Sequence, residues 1–175
     1  MTTFTTVDAL LGALCLGAGF DDGEEVDTLA HMLQSAALLA ESAPDDLELQ
    51  AAGLVHDLGW LLAADAPSHA RLGGEAVREL LGDRVAALVT GHDHAKRYLV
   101  STDPDYRGLL SETSVATLAL QGGDMDDDER TAFEASEHFE SLVTLRRADD
   151  AAKVPGRSVP DLEAWRAPVE QLAAH

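Results

Sequence analysis

Cysteine is nearly absent from this chain. Cys15 is the one thiol in 175 residues, which excludes an internal disulfide and a multi-cysteine metal site and fits a reducing, cytoplasmic setting. Its apolar surroundings predict a buried, unreactive side chain. Positive charge is scarce too, with 12 basic side chains against 32 acidic ones and a formal net charge of −20. Such a surface repels phosphate backbones and anionic lipid headgroups, so neither nucleic acid nor membrane is an expected partner. Long hydrophobic runs are also missing. The apolar stretch 7–20 follows no basic region and is too short to span a bilayer, so it reads as a first core helix rather than a signal peptide.

Period-two alternation is equally lacking. Apolar residues recur instead at steps of three and four, as in Val26, Leu29, Leu33, Ala36 and Ala40, and this spacing predicts an all-α fold. The length and the 46% of hydrophobic residues suffice for one core, so residues 1–175 are expected to form a single helical-bundle domain. Helix starts are read at Asp22 before the Glu24 segment, Asp45 before the segment 47–62, Ser68 before His69, Asp83 before Val85 and Ser111 before Val115. Two more are read near Asp127 and Asp161. Asp103, Pro104, Asp105 and Gly108 carry turn chemistry, and Gly122 and Gly123 stop the helix before them. Pro155, Gly156 and Pro160 interrupt the chain after Lys153, which leaves a core of about 20–153 and a C-terminal cap helix within 154–175, around Trp165.

Against this helical background a set of histidines and carboxylates stands out. His56 and Asp57 lie inside the apolar run Leu54, Val55, Leu58, Trp60, Leu61 and Leu62, where a buried carboxylate is costly unless a cation offsets it. His31 interrupts the apolar face between Leu29 and Leu33, and His69 and His92 fall on two further helices. Imidazole and carboxylate without thiolate suit iron, manganese or zinc, and two ions bridged by one carboxylate would use the whole set within a bundle. A final acid comes from Asp149 or Asp150, and helical stepping back through Leu145 and Leu142 favours Asp149 as inward. His138 falls on the same face, as a partner of a ligand or as a structural residue, whereas His94 and His175 read as exposed.

At these residues the sequence resembles the HD-domain mixed-valent di-iron oxygenases, relatives of myo-inositol oxygenase that act on hydroxylated organophosphonates. The resemblance runs from about Glu24 to Lys153. It is carried by Gly91 to Leu99, by Leu110-Ser111 with Ser114, by Leu120 to Gly123 with Met125, and by Leu145-Arg146-Arg147 leading into Asp149-Asp150. It implies two iron ions, Fe2+ and Fe3+, one held by His31, His56 and Asp149 and the other by His69 and His92, with Asp57 bridging. It also implies that Lys96, Ser114 and Gln121 bind a phosphonate and that Glu24 contacts a cationic nitrogen of the substrate. Asp57 and Lys96 are the residues it implicates in catalysis.

Two positions depart from the family pattern. Trp60 stands where the aminophosphonate enzyme has a substrate-contacting histidine, and Asp21 stands where a tyrosine is expected. An indole can fill core space or offer its face to an ammonium group. The activity implied is O2-dependent oxidation of a 1-hydroxy-organophosphonate, bearing an amine or ammonium group, at C1, with carbon-phosphorus cleavage to phosphate and a carboxylate. The alternative is a metal-dependent phosphohydrolase of the wider HD superfamily, in which the same ligands activate water.

Overall fold

The computed structural model describes residues 2–20, 23–62, 65 and 67–174. Among them every regular element is helical. The helices are α1 (Val7–Leu14), α2 (Thr28–Ser42), α3 (Leu47–Val55), α4 (Leu58–Leu61), α5 (His69–Thr102), α6 (Glu112–Leu120), α7 (Asp127–Glu134), α8 (Phe139–Ala151) and α9 (Arg166–Ala173). No helix among the described residues is long and apolar enough to cross a membrane.

Short acidic and hydroxyl side chains start these helices by taking backbone N–H groups that have no intrahelical acceptor. Asp27 caps α2 through Ala30 N at 2.8 Å, Asp46 caps α3 through Leu49 N at 3.0 Å, and Ser111 caps α6 through Ser114 N at 3.0 Å. Asp126 and Glu129 form a reciprocal capping box on α7. Two of these starts lie later than expected: α2 begins at Thr28, so Glu24 lies in the loop before it, and α3 is capped by Asp46 rather than Asp45. Asp22, the expected cap, lies outside the described residues, as do Asp21 and His175.

Three further expectations are corrected. The segment 47–62 is not one helix, because the backbone leaves helical geometry at Asp57 (φ −98°, ψ 9°) before α4 resumes. The first helix stops at Leu14, and a 3₁₀ turn, Cys15–Gly17, follows. That turn rotates Cys15 off the face that buries Leu10, Leu11 and Leu14, so the thiol is exposed rather than buried.

One buried cluster runs from Phe4 to Val169. In it α2 packs on α3 and α8, and α5 packs on α3, α4 and α8. Gly82 (φ 88°) breaks α5 into two arms, 69–81 and 83–102, a left-handed conformation that a side chain would strain. The arms fold back on each other, bringing His69 and His92 together. The turn is fastened by Arg84, which donates to both carboxylate oxygens of Asp46 at 2.6 and 2.7 Å. The segment around Trp165 returns as expected, with Trp165 and Val169 buried and α9 lying on α1, α3 and α5.

Candidate metal and substrate site

Each expected ligand is delivered by a different bend or face of the bundle. His31 comes from the first turn of α2, His56 and Asp57 from the break between α3 and α4, His69 from the first residue of α5, His92 from its second arm, and Asp149 from the last turn of α8. All six are buried. They gather as two sets, His31 with His56 and Asp149, and Asp57 with His69 and His92, in each of which the ligand atoms lie within 4.8 Å of one another. Asp57 faces both. Its Oδ2 is 3.4 Å from the Nε2 atoms of His31 and His56, and its Oδ1 is 3.5 and 3.7 Å from those of His69 and His92.

The tautomers decide what this arrangement can hold. His31, His56 and His92 donate Nδ1–H to the carbonyls of Ala152 (3.1 Å), Gly53 (2.9 Å) and Val89 (2.7 Å). A carbonyl only accepts, so in the neutral rings Nε2 carries a lone pair. Yet the Nε2 atoms of His31 and His56 stand 3.1 Å apart, and those of His69 and His92 stand 3.2 Å apart. Between His31 and His56 the facing lone pairs of neutral rings repel at this distance unless a cation lies between them. Metal–imidazole bonds of about 2.1 Å at right angles put two nitrogens about 3.0 Å apart. The donor set therefore fits metal ions.

Charge points the same way. Burial opposes protonation of His31, but its contacts with Asp149 and Asp57 outweigh that and raise its pKa to about 10, so without metal a proton is held where an ion would sit. Burial pushes His92 down to about 4 and keeps its lone pair free for coordination. Asp149 is held ionised well below the usual carboxylate range, because Arg146 and the histidines overcome the cost of burying it.

Beside the ligands lies a narrow cavity of about 50 Å³. Every residue expected to bind substrate lines it: Glu24, Trp60, Lys96, Ser114 and Gln121. Lys96 is 2% exposed and donates to the Thr117 hydroxyl at 3.0 Å, and burial lowers its pKa to about 8. Trp60 stacks on His69 with ring centroids 4.6 Å apart and planes 19° from parallel, so one indole face packs against a candidate ligand. Glu24 accepts from Lys153 Nζ and Ser111 Oγ, each at 2.7 Å. The Gln121 amide donates to Asp93 at 2.7 Å.

Sequence reasoning passed over several residues of this cavity. Arg146 donates to Asp149 Oδ2 at 2.7 Å, which leaves Oδ1 facing His31 at 3.2 Å; it also bonds Asp150 and the Tyr106 hydroxyl. Lys153 reaches both Glu24 and Ser114. Arg146 stands three residues before Asp149 on one face of α8, and that spacing was a usable signal, whereas Lys153 lies beyond the end of α8. Asp150 turns instead to Tyr106 and Arg146. His138 is at the start of α8, 11 residues before Asp149, where it lines a different cavity beside the exposed His94.

A chain of net charge −20 thus surrounds one cavity with Lys96, Arg146 and Lys153, a quarter of its 12 basic residues. Convergent cations in a buried polar cavity suit a multiply charged anion. No family model matches the chain. It is 37% identical over 169 residues to a hydroxymethylphosphonate dioxygenase of Gimesia maris, covering 91% of this chain and 83% of that one. It is 31% identical over 148 residues to the glycine-betaine-forming 1-hydroxy-2-(trimethylamino)ethyl phosphonate dioxygenase of Leisingera caerulea, covering 79% of this chain and 75% of that one.

Proposed function

The chain belongs to the HD-domain oxygenase family of the phosphonate dioxygenases, and from that premise we propose that it oxidises a 1-hydroxy-organophosphonate with O2. C1 and phosphorus each gain one oxygen atom as the bond between them breaks, giving a carboxylate and phosphate. The observation that carries this reading is the cavity itself, in which buried Lys96 and two neighbouring cations meet two sets of nitrogen and oxygen donors.

We assign two iron ions, Fe2+ and Fe3+, to the sets His31, His56, Asp149 and His69, His92, with Asp57 between them. Nitrogen and oxygen donors suit iron, and the oxygenase relatives call for a metal that changes oxidation state. When bound, the pair supplies oxygen activation and an electrophilic anchor for the substrate hydroxyl.

The remaining work falls to side chains. Lys96 provides the cation for the phosphonate: Arg146 and Lys153 are ion-paired, whereas Lys96 makes no salt bridge among the described residues. Ser114 and Thr117 offer hydroxyls around it, and Gln121 closes that side. Trp60 and Glu24 also line the cavity, and we assign an amine- or ammonium-bearing substituent to them. A cationic group there has to compete with Lys153 for Glu24.

The test is an aerobic assay of iron-loaded protein on hydroxymethylphosphonate and on its trimethylaminomethyl analogue, following phosphate release and O2 uptake. We expect one O2 consumed per phosphate. Hydrolysis of a phosphate ester without oxygen uptake would instead establish the phosphohydrolase reading.

A further inference from the structure

The chain contains two consecutive His-Asp pairs, and the structure builds them alike. His56 ties Nδ1 to the carbonyl three residues before it at 2.9 Å, and Asp57 Oδ2 lies 3.4 Å from its Nε2. His92 ties Nδ1 to the carbonyl three residues before it at 2.7 Å, and Asp93 Oδ1 lies 3.5 Å from its Nε2. Neighbouring residues on a continuous helix diverge, so the approach of Asp93 to its own histidine's Nε2 is a specific feature of this site.

We propose that Asp93 is a further metal ligand, bound to the ion of His69 and His92; this rests on the two-metal reading above. Its Oδ1 is 3.8 and 3.5 Å from the Nε2 atoms of His69 and His92, and the bridging Asp57 Oδ1 is 3.5 and 3.7 Å from the same atoms. The two carboxylates reach equally far. Asp93 is also 9% exposed, and among the described residues no lysine or arginine nitrogen lies within 4.0 Å of it. A carboxylate buried on these terms is costly unless a cation stands beside it. The Gln121 amide donates to the same Oδ1 at 2.7 Å, and a carboxylate oxygen has lone pairs for both a hydrogen bond and a metal. Each ion then draws on two imidazole nitrogens and two carboxylate oxygens.

The test is a Co2+ titration of metal-free protein, read by visible absorption and by metal analysis after gel filtration. Wild type should bind two ions. Asp93→Asn, which keeps shape and loses charge, should bind the first with unchanged affinity and the second at least tenfold more weakly. Asp93→Ser is measured beside it so that a packing fault in one replacement does not decide the outcome, and retention of the first ion certifies the fold. Two ions bound with wild-type affinity in both variants overturn the proposal and leave the two-metal reading standing. A wild-type protein that binds fewer than two ions overturns both.

Discussion

Lys153 donates to Glu24 at 2.7 Å across 129 residues of chain, so the carboxylate proposed to meet a cationic substituent already holds an ammonium group. Ser111 adds a second hydrogen bond at the same oxygen. A cationic substituent displaces Lys153 or goes unmatched.

Replacing Lys153 by methionine should therefore change selectivity more than activity. The phosphonate is common to both substrates, so any loss of cationic attraction for it cancels in their ratio. With Glu24 released, kcat/KM for the trimethylaminomethyl substrate should rise roughly tenfold relative to hydroxymethylphosphonate, taking about 1.5 kcal/mol for a hydrogen bond to a charged group. An unchanged ratio would mean that Glu24 does not meet the substituent.

Among the described residues Asp57 is the one carboxylate with an oxygen toward each histidine pair. Asp57→Ala should lose both ions, whereas His69→Ala should lose chiefly the ion it shares with His92, because metal affinity follows the donors removed. Elemental analysis of the purified variants checks this. Full occupancy in Asp57→Ala would refute the bridge.

Gly59 follows the dyad where α4 meets α5, and a Cβ there would lie 2.0 Å from the carbonyl oxygen of His69. The obstacle is backbone, so it cannot rotate away. Gly59→Ala should cost about 1–3 kcal/mol in urea unfolding and should also weaken the ion of His69. Gly12, inside α1 with nothing within 4 Å, is the control; Gly12→Ala should stabilise by about 0.5–1 kcal/mol.

These residues also mark what could be read from sequence and what could not. His31, His56 and Asp57 betrayed themselves by being polar inside apolar runs, and capping chemistry at Ser111 and Asp161 located two helix starts. Glu24 was misplaced because several aspartates precede α2 and all can cap. Asp27 is the one used, taking Ala30 N at 2.8 Å and also Gly19 N at 3.1 Å. Asp93 was hidden by the helical wheel, which points it away from His92. Lys153 was hidden by distance in sequence, since nothing local signals a partner 129 residues away. The break at Asp57 was invisible to periodicity, because apolar residues continue on both sides of it.

The pH dependence of the reaction should report Lys96. Its ammonium is buried among groups that cannot solvate it as water does, and this lowers its pKa from 10.5 to about 8. The protonated form is the one that attracts the phosphonate, so binding is full below about pH 8 and is lost as the pH rises through that value. Because kcat/KM reports ionisations of the free enzyme, it should fall tenfold per pH unit above about 8 for hydroxymethylphosphonate. Lys96→Met should lower kcat/KM at pH 7 by one to two orders of magnitude, corresponding to about 1.5–3 kcal/mol for a lost charged hydrogen bond. It should also abolish the alkaline limb. Lys96→Arg separates charge from titration, since a guanidinium keeps its proton throughout this range: the variant should retain part of the activity with the limb displaced beyond pH 10. Metal content is measured for each variant at each pH, so that loss of ions is not mistaken for loss of the ammonium. An unshifted limb in Lys96→Arg at constant metal content would assign that ionisation to another group.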